Sequence, residues 1–217
     1  MELKLLNKEE LKELYSREMV FDFPKSELKP LGAMYRLMDL GVYEPLLVVK
    51  DGETVGYALV WLPGGAQGGL LDYFGVLRGK RNAGLGSAIL AVLAQRYGCI
   101  FGEAEAPTDP DPAVNDLRQR RIGFYLRNGM RKLDYDCALF GVHYNCLYLG
   151  PEQDDRKVEA MHRAVYSDYY SPEHFARFVQ FPLLPGEAVR PAPAWVEEGL
   201  DVHDLLSQDE CRPEPSP

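Results

Sequence analysis

The sequence predicts an α+β fold, a central mixed β-sheet flanked by helices with a helical extension at its C-terminal end, and three observations carry that expectation. Leu70 to Tyr97 reads as a buried strand, a basic glycine-containing turn and an amphipathic helix. Asp51-Gly52 stands between two apolar runs as a tight hairpin signal, which makes one part of the sheet antiparallel. The helix ending at Gly98 leads into a further apolar run, Cys99 to Ala106, and a strand–helix–strand crossover makes that pair parallel.

Taken in order, Glu2 to Leu6 alternates apolar and polar residues as a short first strand. Asn7, with Glu10 three residues on, has the spacing of a capping box for a helix carrying Leu11, Leu14 and Tyr15 on one face. Phe21-Asp22-Phe23-Pro24 interrupts it, and Ser26 is the expected cap of a second helix with Pro30 in its first turn and Gly41 at its end. Leu31, Met34, Leu37, Met38 and Leu40 give that helix a core face. Pro45 to Lys50 and Glu53 to Leu62 are the hairpin strands, and a loop from Pro63 to Gly69 leads into the strand Leu70 to Val76. Leu85, Ile89, Val92, Leu93 and Tyr97 then recur at helical spacing, with Gly98 as the stop.

Ala113 to Asn128 is the next helix, with Asp116 early and Arg118, Arg120, Arg121 and Arg127 later, a distribution that complements the helix dipole. Arg131 to Gly141 and Asn145 to Gly150 form a closing strand pair. Residues 1–150 therefore read as one domain and 151–206 as a helical extension packed on or beside it, with 207–217 as a disordered tail. Within the extension, Asp155 to Tyr170 is a helix, Ser171-Pro172-Glu173 caps another, Pro182 to Ala194 is a proline-rich connection, and Trp195 to Leu206 is helical. The extension is rich in aromatic residues, and extra core is its first reading; a lid over an acceptor pocket and a homodimer contact are the alternatives.

A chain of 217 residues, 46% of them hydrophobic, has the material for a substantial core. Its formal net charge of −9 argues against a nucleic-acid surface and leans toward a cationic or neutral substrate. Cys99, Cys137, Cys146 and Cys211 contain no Cys-x-x-Cys pair, and neither a signal peptide nor a membrane-spanning apolar run is visible. The expectation is a cytoplasmic protein with reduced thiols and no membrane partner. His143 and Cys146 have the spacing of a metal pair, but their surroundings offer no further ligands, and no metal is expected.

The turn after Val76 aims the first free N–H groups of a helix at whatever lies over it, an arrangement that holds a phosphate group. Three glycine-rich motifs compete for it. A nucleotide P-loop has the spacing Gly79 to Gly84 but needs lysine where Leu85 stands. A dinucleotide fingerprint counted from Gly84 and Gly86 needs a third glycine where Ile89 stands. The remaining pattern, Arg81-Asn82-Ala83-Gly84-Leu85-Gly86 after a strand and before a helix, resembles the pyrophosphate-binding motif of the GNAT superfamily of acetyl-CoA-dependent N-acetyltransferases. Arg121-Ile122-Gly123-Phe124-Tyr125-Leu126-Arg127-Asn128-Gly129-Met130 is similar to a second signature of many bacterial GNAT proteins, with its tyrosine in the matching place. The resemblance covers roughly residues 1–150.

That resemblance implies the GNAT acyl-CoA N-acyltransferase fold and direct acetyl transfer from acetyl-CoA to a primary amine. It places a backbone N–H that polarises the acetyl carbonyl near Phe74, Gly75 and Val76, where the family's strand bulges and splays from its neighbour. The N–H groups from Asn82, Ala83, Gly84, Leu85 and Gly86 to Ser87 would hold the pyrophosphate, with Arg81 adding charge. Tyr125 would be the general acid for the departing thiolate. Glu103 and Glu105 alternate on one strand, share a face, and are candidates for the base and for orienting the amine. Asp72 is a third candidate, or a structural hydrogen-bond acceptor. Arg118 stands where many family members carry an asparagine that contacts the pantetheine arm. The acceptor that the resemblance implies is a small-molecule, peptide or protein amine. The rival reading is a non-catalytic acyl-CoA-binding or regulatory protein of the same fold.

Overall fold

The computed structural model describes residues 1–23, 27–64, 68–81 and 84–191. The elements run β1 (Glu2–Leu5), α1 (Lys8–Leu14), α2 (Val20–Asp22), α3 (Leu31–Asp39), β2 (Tyr43–Lys50), β3 (Glu53–Trp61) and β4 (Gly69–Val76). They continue with α4 (Leu85–Tyr97), β5 (Ile100–Glu105), α5 (Pro112–Arg127), β6 (Arg131–Leu139), β7 (Val142–Leu149), α6 (Asp155–Ser167), α7 (Pro172–Phe178) and β8 (Val179–Leu183). A π-helical turn, Tyr15–Met19, joins α1 to α2. The strands form an eight-stranded sheet in the order β1-β2-β3-β4-β5-β7-β6-β8, in which β4 and β5 are parallel and the other pairs antiparallel.

Local chemistry accounts for the boundaries. The capping box at α1 is reciprocal: the Glu10 N–H donates to Asn7 Oδ1 and the Asn7 N–H to Glu10 Oε2, both at 3.0 Å. Asp51 and Gly52 take φ values of 53° and 81°, the two positive angles a type I′ hairpin needs. Ser26, the expected cap of the second helix, lies outside the described residues. That helix begins later than the sequence suggested, at Leu31, because the Pro30 ring disfavours helical backbone at Lys29 and Pro30 itself becomes the cap, with ψ at 141°. Sequence reasoning also missed β8. Val179–Leu183 closes the sheet along β6 through the pairs Leu139 with Val179 and Asp136 with Leu183. Pro182 in it is compatible with an edge strand, where one lost ladder donor faces no further neighbour. The expected helix over Trp195 to Leu206 and the tail 207–217 lie outside the described residues.

Helices cover both faces. Leu11, Met34, Leu37, Val158, Val165 and Tyr166 bring α1, α3 and α6 onto one face, around buried Trp61, Phe101 and Tyr148. Leu85, Ile89, Leu90 and Leu93 bring α4 onto the other, with Ile122 and Tyr125 of α5 beside it. Residues 151–183 thus add α6, α7 and β8 to the sheet. Among the described residues no helix is long and apolar enough to cross a membrane.

Candidate active site

The sheet opens in its middle. β4 and β5 pair only through Gly69 with Ile100 and Leu70 with Phe101, after which the two strands diverge. A bulge sharpens the divergence: Leu59 pairs with Tyr73 and Val60 with Leu71, so Asp72 is an extra residue on β4. Its consequence is visible in the side chains. Leu71 and Phe74 belong to the α4 face, whereas Asp72 contacts Tyr43 on the opposite face, where Tyr73 also packs. A cavity of about 410 Å³ occupies the gap. Phe74, Val76 and Tyr125 line it from the α4 side, and Glu103, Glu105 and Tyr166 from the other.

Glu103 and Glu105 both line this cavity, but neither carboxylate is idle. Arg118 Nη2 donates to Glu105 Oε1 at 2.7 Å and Arg121 Nη1 to Oε2 at 3.1 Å. These two arginines of α5 therefore serve Glu105, Arg121 while half-exposed and Arg118 from a more buried position. Arg118 Nη1 also donates to the Ala106 carbonyl at 3.1 Å, so the residue that departs from the family pattern is fixed against the end of β5. Tyr166 OH lies 2.8 Å from both oxygens of Glu103, and His162 Nε2 lies 3.0 Å from Oε1. His162 is fully buried, stacked on Phe101 with ring centroids 5.1 Å apart. Burial works to lower its pKa, but hydrogen bonds with Cys146 and Glu103, and the charges of both, outweigh that and raise it to about 9. The direction of that shift favours the imidazolium, which lies beside Cys146 and Glu103.

Asp72 is tied down as a structural acceptor: Lys29 Nζ donates to Oδ1 at 2.6 Å and Tyr43 OH to Oδ2 at 2.5 Å. Lys29 lies over the rings of Trp61 and Tyr73, each about 5.4 Å from its charge, so this buried pair has aromatic walls.

At the other end, Gly84 caps α4 in the left-handed conformation, with φ at 68° and no side-chain hydrogen bond to the first turn. Among the described residues no side chain accepts from the leading N–H groups of this 13-residue helix. Gly86 faces Phe124: a Cβ there would stand 3.1 Å from the ring, and that ring in turn stacks on Phe74 at 6.2 Å. Asn82 and Ala83 lie outside the described residues. Gly75 is required by Tyr57, whose ring would sit 2.5 Å from an added Cβ. Arg81 turns inward: Nε donates to the Val76 carbonyl at 3.1 Å and Nη2 to Asp22 at 2.7 Å. Asp22 also accepts from Tyr57 OH at 2.8 Å.

Tyr125 reaches the cavity from the last turn of α5. Its hydroxyl has no hydrogen-bond partner among the described residues, and burial raises its pKa while the charge of Arg121 opposes the rise. Such a phenol keeps its proton and has it available for a bound group. Sequence reasoning missed Asp22, Glu27, Lys29 and the His162–Tyr166 pair. The first three lie on the segment joining the opening helices, where no periodicity marks a site. His162 sits at helical spacing from Val158 and Val165 and reads there as ordinary core.

No protein-family description matches the chain, and no curated protein matches its sequence. Solved structures do match its fold. One, described as an acetyltransferase of the GNAT family from Bacteroides thetaiotaomicron, superposes with a TM-score of 0.64 at 17% identity, covering 77% of this chain and 97% of that one. An aminoglycoside 6'-N-acetyltransferase from Enterococcus faecium gives 0.51 at 15% identity, over 71% of this chain and 100% of that one. A spermidine N-acetyltransferase chimera from Vibrio cholerae gives 0.51 at 8% identity, over 72% and 98%. At these identities the likeness is one of fold.

Proposed function

On a GNAT-type fold whose sheet parts over an acid-lined cavity, we propose that this protein is an N-acetyltransferase that moves the acetyl group of acetyl-CoA directly to a primary amine. One observation carries the reading. The split between β4 and β5 joins, in a single cavity, a tyrosine hydroxyl without a partner among the described residues and the strand leading to the α4 N-terminus with a set of carboxylates on the opposite face. Acetyl transfer needs those two halves to meet at one carbon atom.

In this reading the N–H groups of Gly84 to Ser87, with those of Asn82 and Ala83, hold the pyrophosphate, and β4 from Phe74 to Val76 lies along the thioester arm. Open backbone N–H groups of the diverging strand stabilise the oxyanion. The amine nitrogen attacks the acetyl carbon, the carbon–sulfur bond breaks, and Tyr125 gives its proton to the departing thiolate. Glu103 and Glu105, each held by its own partners, form part of the wall at the acceptor end. The two similar structures named for aminoglycoside and spermidine acetyl transfer support an amine as acceptor.

Gly84→Val tests the donor half. An added Cβ at Gly84 meets nothing within 4 Å, so the variant acts through backbone conformation alone. A β-branched residue resists φ at 68°, and relaxing it swings the turn away from the helix axis. Acetyl-CoA affinity measured by calorimetry is expected to fall by at least about tenfold, one decade for each ~1.4 kcal/mol of strain carried into the site. Affinity unchanged from the parent protein would remove this turn from the donor site.

A further inference from the structure

Building on the acetyl-transfer reading, we propose that Glu27 receives the acceptor, binding a primary alkylammonium group in the cavity and taking its proton before attack. Five carboxylates line the cavity, and four of them are held by partners. Asp22 is held by Tyr57 and Arg81, Asp72 by Lys29 and Tyr43, Glu103 by His162 and Tyr166, and Glu105 by Arg118 and Arg121. Glu27 lines the same cavity, and among the described residues its carboxylate carries neither a hydrogen bond nor an ion pair. A carboxylate drawn partly out of water favours a partner, and the one that suits Glu27 in this cavity is a cation with N–H donors.

The position of Glu27 is set, although it lies between helices. Tyr73 OH donates to the Glu27 carbonyl at 2.8 Å, and the Lys29 N–H donates to the same hydroxyl at 2.8 Å. The backbone is thereby pinned to β4, the strand that carries the bulge. The groups whose charge reaches Glu27 are Glu105 of β5 and Arg121 and Arg118 of α5, and the charge of Glu27 in turn reaches the Tyr144 phenol of β7. Burial first, and then the charge of Glu105, raise its pKa above the ordinary 4.5, while Arg121 and Arg118 pull it down. A raised carboxylate is the stronger base. The charge of Arg121 also reaches Tyr125, so proton acceptor and proton donor are arranged about one guanidinium.

The protons balance. The ammonium gives one proton to Glu27, and the neutral nitrogen forms the new bond to the acetyl carbon. As the carbon–sulfur bond breaks, the thiolate takes the Tyr125 proton, and a second nitrogen proton restores Tyr125. The proton on Glu27 leaves to water, so that amide, free thiol and one proton are the products.

Thiol release from acetyl-CoA is measured with putrescine, tyramine and Nα-acetyl-lysine methyl ester, beside calorimetry of acetyl-CoA and a melting curve. Glu27→Gln is expected to melt like the parent, to bind acetyl-CoA with unchanged affinity, and to lower kcat/KM for the accepted amine by about 100-fold or more. It is also expected to lose the acidic limb of the kcat/KM profile, and Glu27→Asp to recover part of the rate. Undiminished kcat/KM with the limb retained overturns the assignment and leaves the transferase reading standing. Failure of the parent to bind acetyl-CoA strikes the transferase reading instead. Should none of the three amines be acetylated, the ¹³C resonance of Glu27, assigned by its loss in Glu27→Gln, decides. Its displacement by putrescine or tyramine supports the proposal, and an unmoved resonance with all three amines overturns it.

Discussion

Replacing His162 with alanine is expected to destabilise the protein by about 3–5 kcal/mol, a large part of the stability of an ordinary domain. The imidazole is fully buried and carries its charge 3.0 Å from Glu103 Oε1, and Tyr135 OH lies 3.2 Å from its other nitrogen. Removing it leaves the Glu103 carboxylate with Tyr166 as its remaining strong donor and opens a hole beside the rings of Phe101 and Phe181. The pH dependence separates this ion pair from simple packing. Because the folded-state pKa is raised, from 6.5 to about 9, the contribution of the pair is fully present below pH 6.5 and is lost as pH rises through about 9. Urea unfolding should therefore show a gap between parent and His162→Ala that is widest at about pH 6.5 and narrows as pH rises through about 9. A gap independent of pH would mean that the imidazole is held neutral and only fills space.

Tyr125→Phe is expected to lower kcat by about 100-fold or more while leaving acetyl-CoA affinity within about threefold. The substitution keeps the ring, which lies edge-on to Phe124 with centroids 5.3 Å apart, and removes a hydroxyl that holds no protein partner among the described residues. Stability should hardly change, so a loss of turnover would be a loss of chemistry. A thiolate leaves far more easily with a proton in hand, and burial keeps this phenol protonated. Steady-state kinetics against acetyl-CoA checks the prediction, and unaltered turnover would take Tyr125 out of the mechanism.

The fold was largely legible because its signals are local. Asn7 and Glu10, Asp51-Gly52, and Gly84 with Gly98 each fix a boundary through backbone chemistry that acts within a few residues. Two elements were misread where a proline was weighed wrongly. Pro30 starts a helix rather than sitting inside one, and Pro182 lies in an edge strand rather than a connection. The site was legible only in part. Alternation put Glu103 and Glu105 on one face, and both do line the cavity. What occupies them is set by residues far along the chain, Arg118 and Arg121 for one and His162 and Tyr166 for the other, and no spacing rule connects those. The family resemblance pointed to a bulge near Phe74 to Val76, whereas the extra residue on β4 is Asp72. A register shift depends on how two strands pair, which neither sequence shows alone. Glu27 carries no signal in the sequence, since its distinction is that, among the described residues, it has no partner where the other cavity carboxylates have one.

The most direct test of acetyl transfer follows the thiol of CoA. Purified protein is mixed with acetyl-CoA and a panel of primary amines, released thiol is recorded, and the amine products are weighed by mass spectrometry. The account predicts thiol release that depends on the amine, with one acetyl group gained per thiol freed. Tight binding of acetyl-CoA with no amine-dependent release across the panel would contradict it, and would assign the chain to acyl-CoA binding without transfer.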